Sequence, residues 1–350
     1  MSEQRIPVTV IGGYLGAGKT TLVNHALRCS DERIAVIVND FGEISIDEDL
    51  ITATEGDKLT LANGCICCSL ADGFAAALQT VRSAEMPPER LLIEASGVAD
   101  PAQIAAYGHT PGLRLDAVVV MADAEQVRRQ ANDRWVADTV RMQLASADLL
   151  VVNKIDLLED TADADALCNW LAGLTTGAAI VRASHAAVPT DVLLGPSTDA
   201  SAAEFRSRSV RAGVTAAGQA AEDLFESQTV ELDVPLPMQT IEALLANLPA
   251  GVARLKGLVW VVREAEAGGG TGDDPADYLI EAVGTRTSMT QHMVESGDPL
   301  RRCVVSVIAR KGTLPSDWLR TQLRSSHCFL PLLTRARSVG RPLGSSEPRS

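Results

Sequence analysis

The chain has 350 residues, 46% of them hydrophobic but only 3% aromatic, and a formal net charge of −14. That length suggests two domains, or one large one, with a core built from Ala, Val, Leu and Ile. The acidic balance excludes general affinity for nucleic acid or for an anionic membrane surface, both of which need surplus Lys and Arg.

The first apolar stretch runs at once into glycines and a lysine, so it reads as a strand and not as an export signal. No apolar run reaches the length of a membrane span. A cytoplasmic location follows, with the seven cysteines reduced.

From residue 6 onward, short Val/Ile/Leu-rich runs alternate with helical patterns. The strand-like runs are PVTVIG, RIAVIVND, RLLIEAS, DAVVVMAD, DLLVVNKID and AAIVRAS. None alternates with polar residues, as expected for strands buried on both faces. Between them, KTTLVNHAL, FAAALQTVRSA and WVADTVRMQLASA carry helical spacing. The pattern predicts an α/β domain with a mostly parallel sheet over 1–190. An Ala/Ser/Thr/Gly-rich linker is expected over 191–224. A smaller α+β domain is expected over 225–335. Its strands would be QTVELDVPL, LKGLVWVV, YLIEAVG and RCVVSVIA, and its helices MQTIEALLANL and SDWLRTQLRSS. EAGGGTGDDPAD has hairpin-loop composition, and a disordered tail is expected over 336–350.

Gly13-Tyr14-Leu15-Gly16-Ala17-Gly18-Lys19-Thr20 fits the P-loop pattern between a predicted strand and a predicted helix. Backbone N–H groups from Gly13 to Thr21 would wrap the phosphates, and Lys19 would supply a positive charge to the β/γ oxygens. The Thr20 hydroxyl would ligate Mg²⁺. The loop says nothing about the base. Asn153-Lys154-Ile155-Asp156 ends another strand and supplies that reading. The Asp156 carboxylate can accept two guanine donors that adenine lacks. Asn153 would tie this loop to the phosphate loop, and the Lys154 stem would cover the base. Backbone donors at Ala183 and Ser184 are candidates for guanine O6.

Leu91-Leu92-Ile93-Glu94-Ala95-Ser96-Gly97 places a carboxylate and a glycine after an apolar strand. Glu94 would hold Mg²⁺ or its waters, and the Gly97 N–H would sense the γ-phosphate. Asp40 or Asp47 could contact Mg²⁺ from a switch loop. Asp40, Glu43 and Glu94 all remain candidates for positioning the attacking water.

Cys65, Cys67 and Cys68 crowd into Asn63-Gly64-Cys65-Ile66-Cys67-Cys68. Three thiolates suit one soft ion such as Zn²⁺ or Cu(I), and leave a fourth position open to a carboxylate, imidazole, water or partner ligand. Glu43 is a neighbour by its place between the phosphate loop and the Glu94 strand. Structural cysteines and thiol redox chemistry are the competing readings. Cys29, Cys168, Cys303 and Cys328 stand singly and read as packing residues, and the five histidines are scattered.

These segments, together with Asn39–Asp47 and Glu94-Ala95-Ser96-Gly97-Val98-Ala99-Asp100-Pro101, stand in the order and spacing of a known family. The sequence resembles the CobW-like metallochaperone GTPases (CobW/HypB/UreG type) over about residues 6–330. Arg254-Leu255-Lys256-Gly257 before a strand is similar to that family's C-terminal domain. The resemblance implies hydrolysis of GTP to GDP with delivery of a divalent metal, most often zinc, from the three cysteines to a client metalloprotein. Relatives serve cobalt in cobalamin synthesis or the metal of nitrile hydratase, so Co²⁺ insertion stands as an alternative, as does a regulatory GTPase. A homodimer is compatible with it. The chain departs from the family at Val38, where Glu is frequent, at Asp40, where Glu is usual, and in lacking His-rich segments.

Overall fold

The computed structural model describes residues 5–38, 87–195, 225–262, 276–292 and 303–324. The first sheet holds β1 (Ile6–Gly13), β2 (Ile34–Val38), β3 (Arg90–Glu94), β4 (Leu113–Asp123), β5 (Leu149–Asn153) and β6 (Ala179–Arg182). Its order is β2-β3-β1-β4-β5-β6, and every pairing is parallel. Both faces are apolar, as the unalternated runs predict. Val8, Ile93, Val120 and Val152 face one core, whereas Ile11, Leu92, Val119 and Val151 face another. Successive strand residues point to opposite faces, so each run feeds both cores in turn. Each fully buried side chain of this size stabilises the fold by about 1.5–3 kcal/mol relative to an exposed one.

Helix α1 (Lys19–Cys29) covers the second core through Leu22, Val23, Ala26 and Leu27. Next come α2 (Pro101–Ala105), α3 (Val127–Gln130), α4 (Ala137–Ala145) and α5 (Thr161–Ala172). Asp100 caps α2 by accepting from the Ala102 N–H at 2.9 Å, and Pro101 occupies its first turn. Asp160 caps α5 in the same way, through the Ala162 N–H at 3.1 Å. After β6 comes a short α6 (Thr190–Leu193), and Val192, Leu193 and Leu194 are fully buried. The stretch expected to be linker from 191 therefore begins with core residues. The remainder of it, 196–224, lies outside the described residues, as do FAAALQTVRSA, the tail and most of the Gly-rich loop before residue 276.

The second sheet holds β7 (Phe225–Leu232), β8 (Leu236–Pro237), β9 (Val252–Val262), β10 (Ala276–Val283), β11 (Arg286–His292) and β12 (Cys303–Arg310). Its order is β11-β10-β9-β12-β7, all antiparallel, with β8 added in parallel beside β9. Helices α7 (Met238–Ala246) and α8 (Trp318–Arg324) cover one face through Ile241, Leu244, Leu319 and Leu323.

The second sheet docks on the N-terminal ends of the first sheet's strands. Arg254 of β9 donates to both carboxylate oxygens of Asp116 in β4, at 3.0 and 3.1 Å. Its guanidinium also donates to the carbonyls of Val192 (3.1 Å) and Leu193 (2.8 Å). Asp116 accepts further from Arg90 (3.2 Å) and from the Thr9 hydroxyl (3.2 Å), and Arg90 reaches on to Glu32 at 2.9 Å. Arg114 pairs with Glu281, which also lies 3.4 Å from Lys256 Nζ. Arg286 donates to Asp148 at 2.7 Å. The β10–β11 turn presses on the same place. Gly284 sits at φ 55, and a Cβ there would stand 2.2 Å from the Asp148 carbonyl, so only glycine fits.

Burial raises the Asp116 pKa, but Arg254 and Arg90 more than offset this and hold it well below the usual carboxylate range. Lys256 goes the other way: burial lowers its pKa to about 8, and Glu281 recovers only part.

Candidate functional site

The described residues of the phosphate-loop, Glu94–Gly97 and Asn153–Asp156 motifs all gather at the opposite end of the first sheet, where the strands terminate, whereas Arg254-Leu255-Lys256-Gly257 lies within β9 and not before it. Open α/β sheets bind ligands at this edge. The phosphate loop leaves β1 and enters α1 through Gly18, at φ 103. A Cβ on Gly18 would stand 2.5 Å from Asn153 Nδ2, so glycine permits both the left-handed turn and the close approach. No side chain caps α1, which leaves its first amides to an incoming anion. Lys19 is buried at the helix start.

Thr20 Oγ1 donates to Glu94 Oε1 at 2.8 Å. The two residues are 74 apart in sequence and meet because β3 lies beside β1. Glu94 is almost fully buried. A hydroxyl and a carboxylate are hard oxygen donors, so this pair fits Mg²⁺.

Asn153 Nδ2 donates to the Ala17 carbonyl at 3.0 Å, and its Oδ1 accepts from the Ala186 N–H at 2.8 Å. One buried amide thus joins the phosphate loop, the Asn153–Asp156 loop and the turn after β6. Lys154 stands in the left-handed region at φ 62, and its Nζ donates to Asp123 Oδ2 at 2.7 Å. Asp156 is part-exposed, with His185 Nε2 3.8 Å away.

One expectation is corrected here. The Ala183 N–H is not a donor to guanine, because it donates to the Val152 carbonyl at 2.9 Å as the last rung of the β5–β6 ladder. Asp40, Glu43, Asp47, Cys65, Cys67 and Cys68 lie outside the described residues, as does Cys328. Among the described residues, no three His, Cys, Asp or Glu side chains converge as a metal site.

The three described cysteines are free. Burial raises the Cys303 pKa to about 11, although its sulfur accepts from the Trp260 N–H at 3.1 Å, so it is an inert thiol. Arg182 donates to Cys168 Sγ at 3.4 Å. Cys29 Sγ lies 3.8 Å from His25 Nδ1.

Two functional neighbours escaped the motif reading. Asp123 ends β4, holds Lys154, and accepts from the N–H groups of Glu125 (2.9 Å) and Gln126 (3.3 Å). Its signal was a carboxylate at a strand end, like that of Glu94. Gln143 of α4 is buried and donates to the carbonyls of Gly97 (3.2 Å) and Ala99 (2.9 Å), which clamps the Gly97 loop. Its signal was an amide on the apolar face formed with Val140 and Leu144.

Residues 7–182 match the family described as CobW/HypB/UreG, nucleotide-binding domain, and residues 225–326 match the cobalamin synthesis protein cobW C-terminal domain. The chain is 31% identical over 319 residues to the zinc chaperone CobW of Sinorhizobium sp, covering 81% of this chain and 87% of that one. It is 32% identical over 270 residues to the zinc chaperone YjiA of Escherichia coli, covering 73% and 82%. The Zn(II)-bound crystal structure of the YjiA GTPase superposes with a TM-score of 0.41 at 24% identity, covering 92% of this chain and 99% of that one. The zinc-regulated GTPase metalloprotein activator 1 of Saccharomyces cerevisiae is 35% identical over 187 residues, covering 46% and 44%. With both of its domains matched in order, the chain belongs to the CobW/HypB/UreG family and carries a CobW-type C-terminal domain.

Proposed function

We propose that this protein is a GTP-hydrolysing zinc chaperone. It takes zinc as cargo on Cys65, Cys67 and Cys68, with Glu43 nearby, and passes it to a client metalloprotein. In this reading 1–190 forms the GTPase unit, 191–224 the connection and 225–335 the second domain.

The observation that carries the nucleotide half is the Asn153–Ala17 hydrogen bond of 3.0 Å, which sets the guanine-reading loop against the phosphate loop. Asp156 selects guanine by accepting from its ring N1–H and its exocyclic amine. Lys19 and the amides of Gly13, Gly16, Gly18, Thr20 and Thr21 bind the phosphates, whereas the Ala17 N–H donates to the Tyr14 carbonyl at 3.2 Å and closes the loop's own turn. Thr20 and Glu94 would hold Mg²⁺, which supplies charge neutralisation on the β- and γ-phosphate oxygens. Water attacks the γ-phosphorus, the bond to the bridging oxygen breaks, and GDP and phosphate leave. Asp40, Glu43 and Glu94 are the carboxylates available to orient that water, and Gly97 reports the γ-phosphate to the loop that Gln143 clamps.

The zinc half is supported by three thiols in four residues and by the zinc-chaperone names of the relatives. Its test is metal analysis of the protein purified with GTP or GDP. Wild type should hold zinc in a nucleotide-dependent amount, and the Cys65→Ser/Cys67→Ser/Cys68→Ser variant should hold none. An unchanged zinc content in that variant would overturn the assignment.

A further inference from the structure

We infer that the exposed face of α3 and α4, beside the clamped Gly97 loop, is a docking surface for an acidic segment of a partner protein. Trp135 is 77% exposed and Met142 38% exposed. Met142 lies on α4, and Trp135 lies in the turn that leads into it. Arg134 and Arg141 immediately precede them in the chain, and both are exposed. Arg128 and Arg129 of α3 are exposed as well. Hydrogen bonds knit the patch: Arg141 donates to the carbonyl of Ala131 at 2.7 Å and to Asn132 Oδ1 at 3.0 Å, and Asn132 donates to the Arg128 carbonyl at 2.8 Å.

Charge identifies the occupant. Residues 128–141 carry four arginines against Asp133 and Asp138, in a chain whose net charge is −14. Asp133 accepts from the Trp135 N–H at 2.8 Å, so it serves the local turn. Among the described residues, none of the four arginines has a carboxylate partner. The Arg134 guanidinium lies over the Trp135 ring, 4.2 Å from its centroid, which holds the indole as an outward platform. Trp and Arg together make the usual anchors of protein interfaces. A second copy of the chain, meeting this face symmetrically, would set arginine against arginine. An acidic partner is complementary, and it would contact the helix whose Gln143 holds the Gly97 loop. This face needs neither the cysteine cluster nor zinc.

The test uses the full chain and two fluorescein-labelled peptides of about twelve residues, one of alternating Glu and Leu and one of alternating Lys and Leu. Binding is followed by anisotropy at about 0.05 M salt, where screening is weak. The acidic peptide should bind and the basic one should not. Trp135→Ala, and separately Arg129→Glu/Arg134→Glu, should each weaken binding by at least about tenfold, whereas Trp135→Tyr should retain most of it. The substituted side chains are exposed, so guanine-nucleotide binding and thermal midpoint should stay at wild-type values. Equal binding of the two peptides, no binding of the acidic one, or unchanged affinity in Trp135→Ala would overturn the assignment.

Discussion

Arg254 and Asp116, 138 residues apart, meet as a two-pronged ion pair with both side chains almost fully shielded from water. Such a pair gains little over an apolar replacement, but removing Arg254 leaves the buried Asp116 carboxylate with only Arg90 and Thr9 to hold it. Arg254→Ala should therefore destabilise the protein by about 3–5 kcal/mol, read as a lower urea midpoint. The Asp116→Leu/Arg254→Met double variant should recover part of that loss. An Arg254→Ala midpoint equal to wild type would show that the two sheets do not depend on this contact.

The same pair sets an acid limit. Asp116 has a depressed folded-state pKa, so its contribution is present above the unfolded value of about 4 and lost as pH falls below it. Urea midpoints of wild type should fall progressively below about pH 4.

Lys256 predicts a trend of the same sign at the alkaline end. Its folded pKa of about 8 lies below the ordinary lysine value of 10.5. Between those values the unfolded chain holds a proton that the folded chain has released, so stability from this group rises with pH. Urea midpoints at pH 8 and pH 10 should show that rise, and Lys256→Met should abolish it. A slope that survives in the variant would assign it to another group.

Glu94 touches Thr20 at the phosphate end, so Glu94→Gln should cut GTP turnover by at least about tenfold while guanine-nucleotide affinity changes less. Single-turnover kinetics separates the two. Equal losses in binding and turnover would make Glu94 a ground-state contact instead.

Asp156→Asn exchanges two acceptors for one acceptor and one donor group. GTP affinity should drop by a factor of about 10²–10⁴. Xanthosine triphosphate, which carries a carbonyl where guanine has its amine, should gain on GTP. A competition assay that finds GTP still preferred would remove Asp156 from base recognition.

The parallel sheet was legible because its strands are apolar on both faces and β1, β3 and β5 each run into a motif. Strand β11 was not, since Arg286–His292 is a polar edge strand with neither an apolar run nor a clean alternation. The phosphate and base loops were legible from local patterns. Asp123 and Gln143 were not, because each acts on a segment at least 31 residues away and belongs to no local pattern. The charges joining the sheets were hidden for the same reason. Isolated Arg, Lys and Asp residues look like ordinary surface groups until the fold buries them together. Ala183 was misread because its position suggested a loop donor, while the β5–β6 ladder had already used its N–H.

The second sheet is bolted to the strand beginnings, and every described nucleotide residue lies at the strand ends. The two halves of the chain are thus stacked pole to pole. Among the described residues, those around the phosphate loop all come from the first half, and the second half reaches them only through strands such as β3, from Arg90 at its foot to Glu94 at its tip.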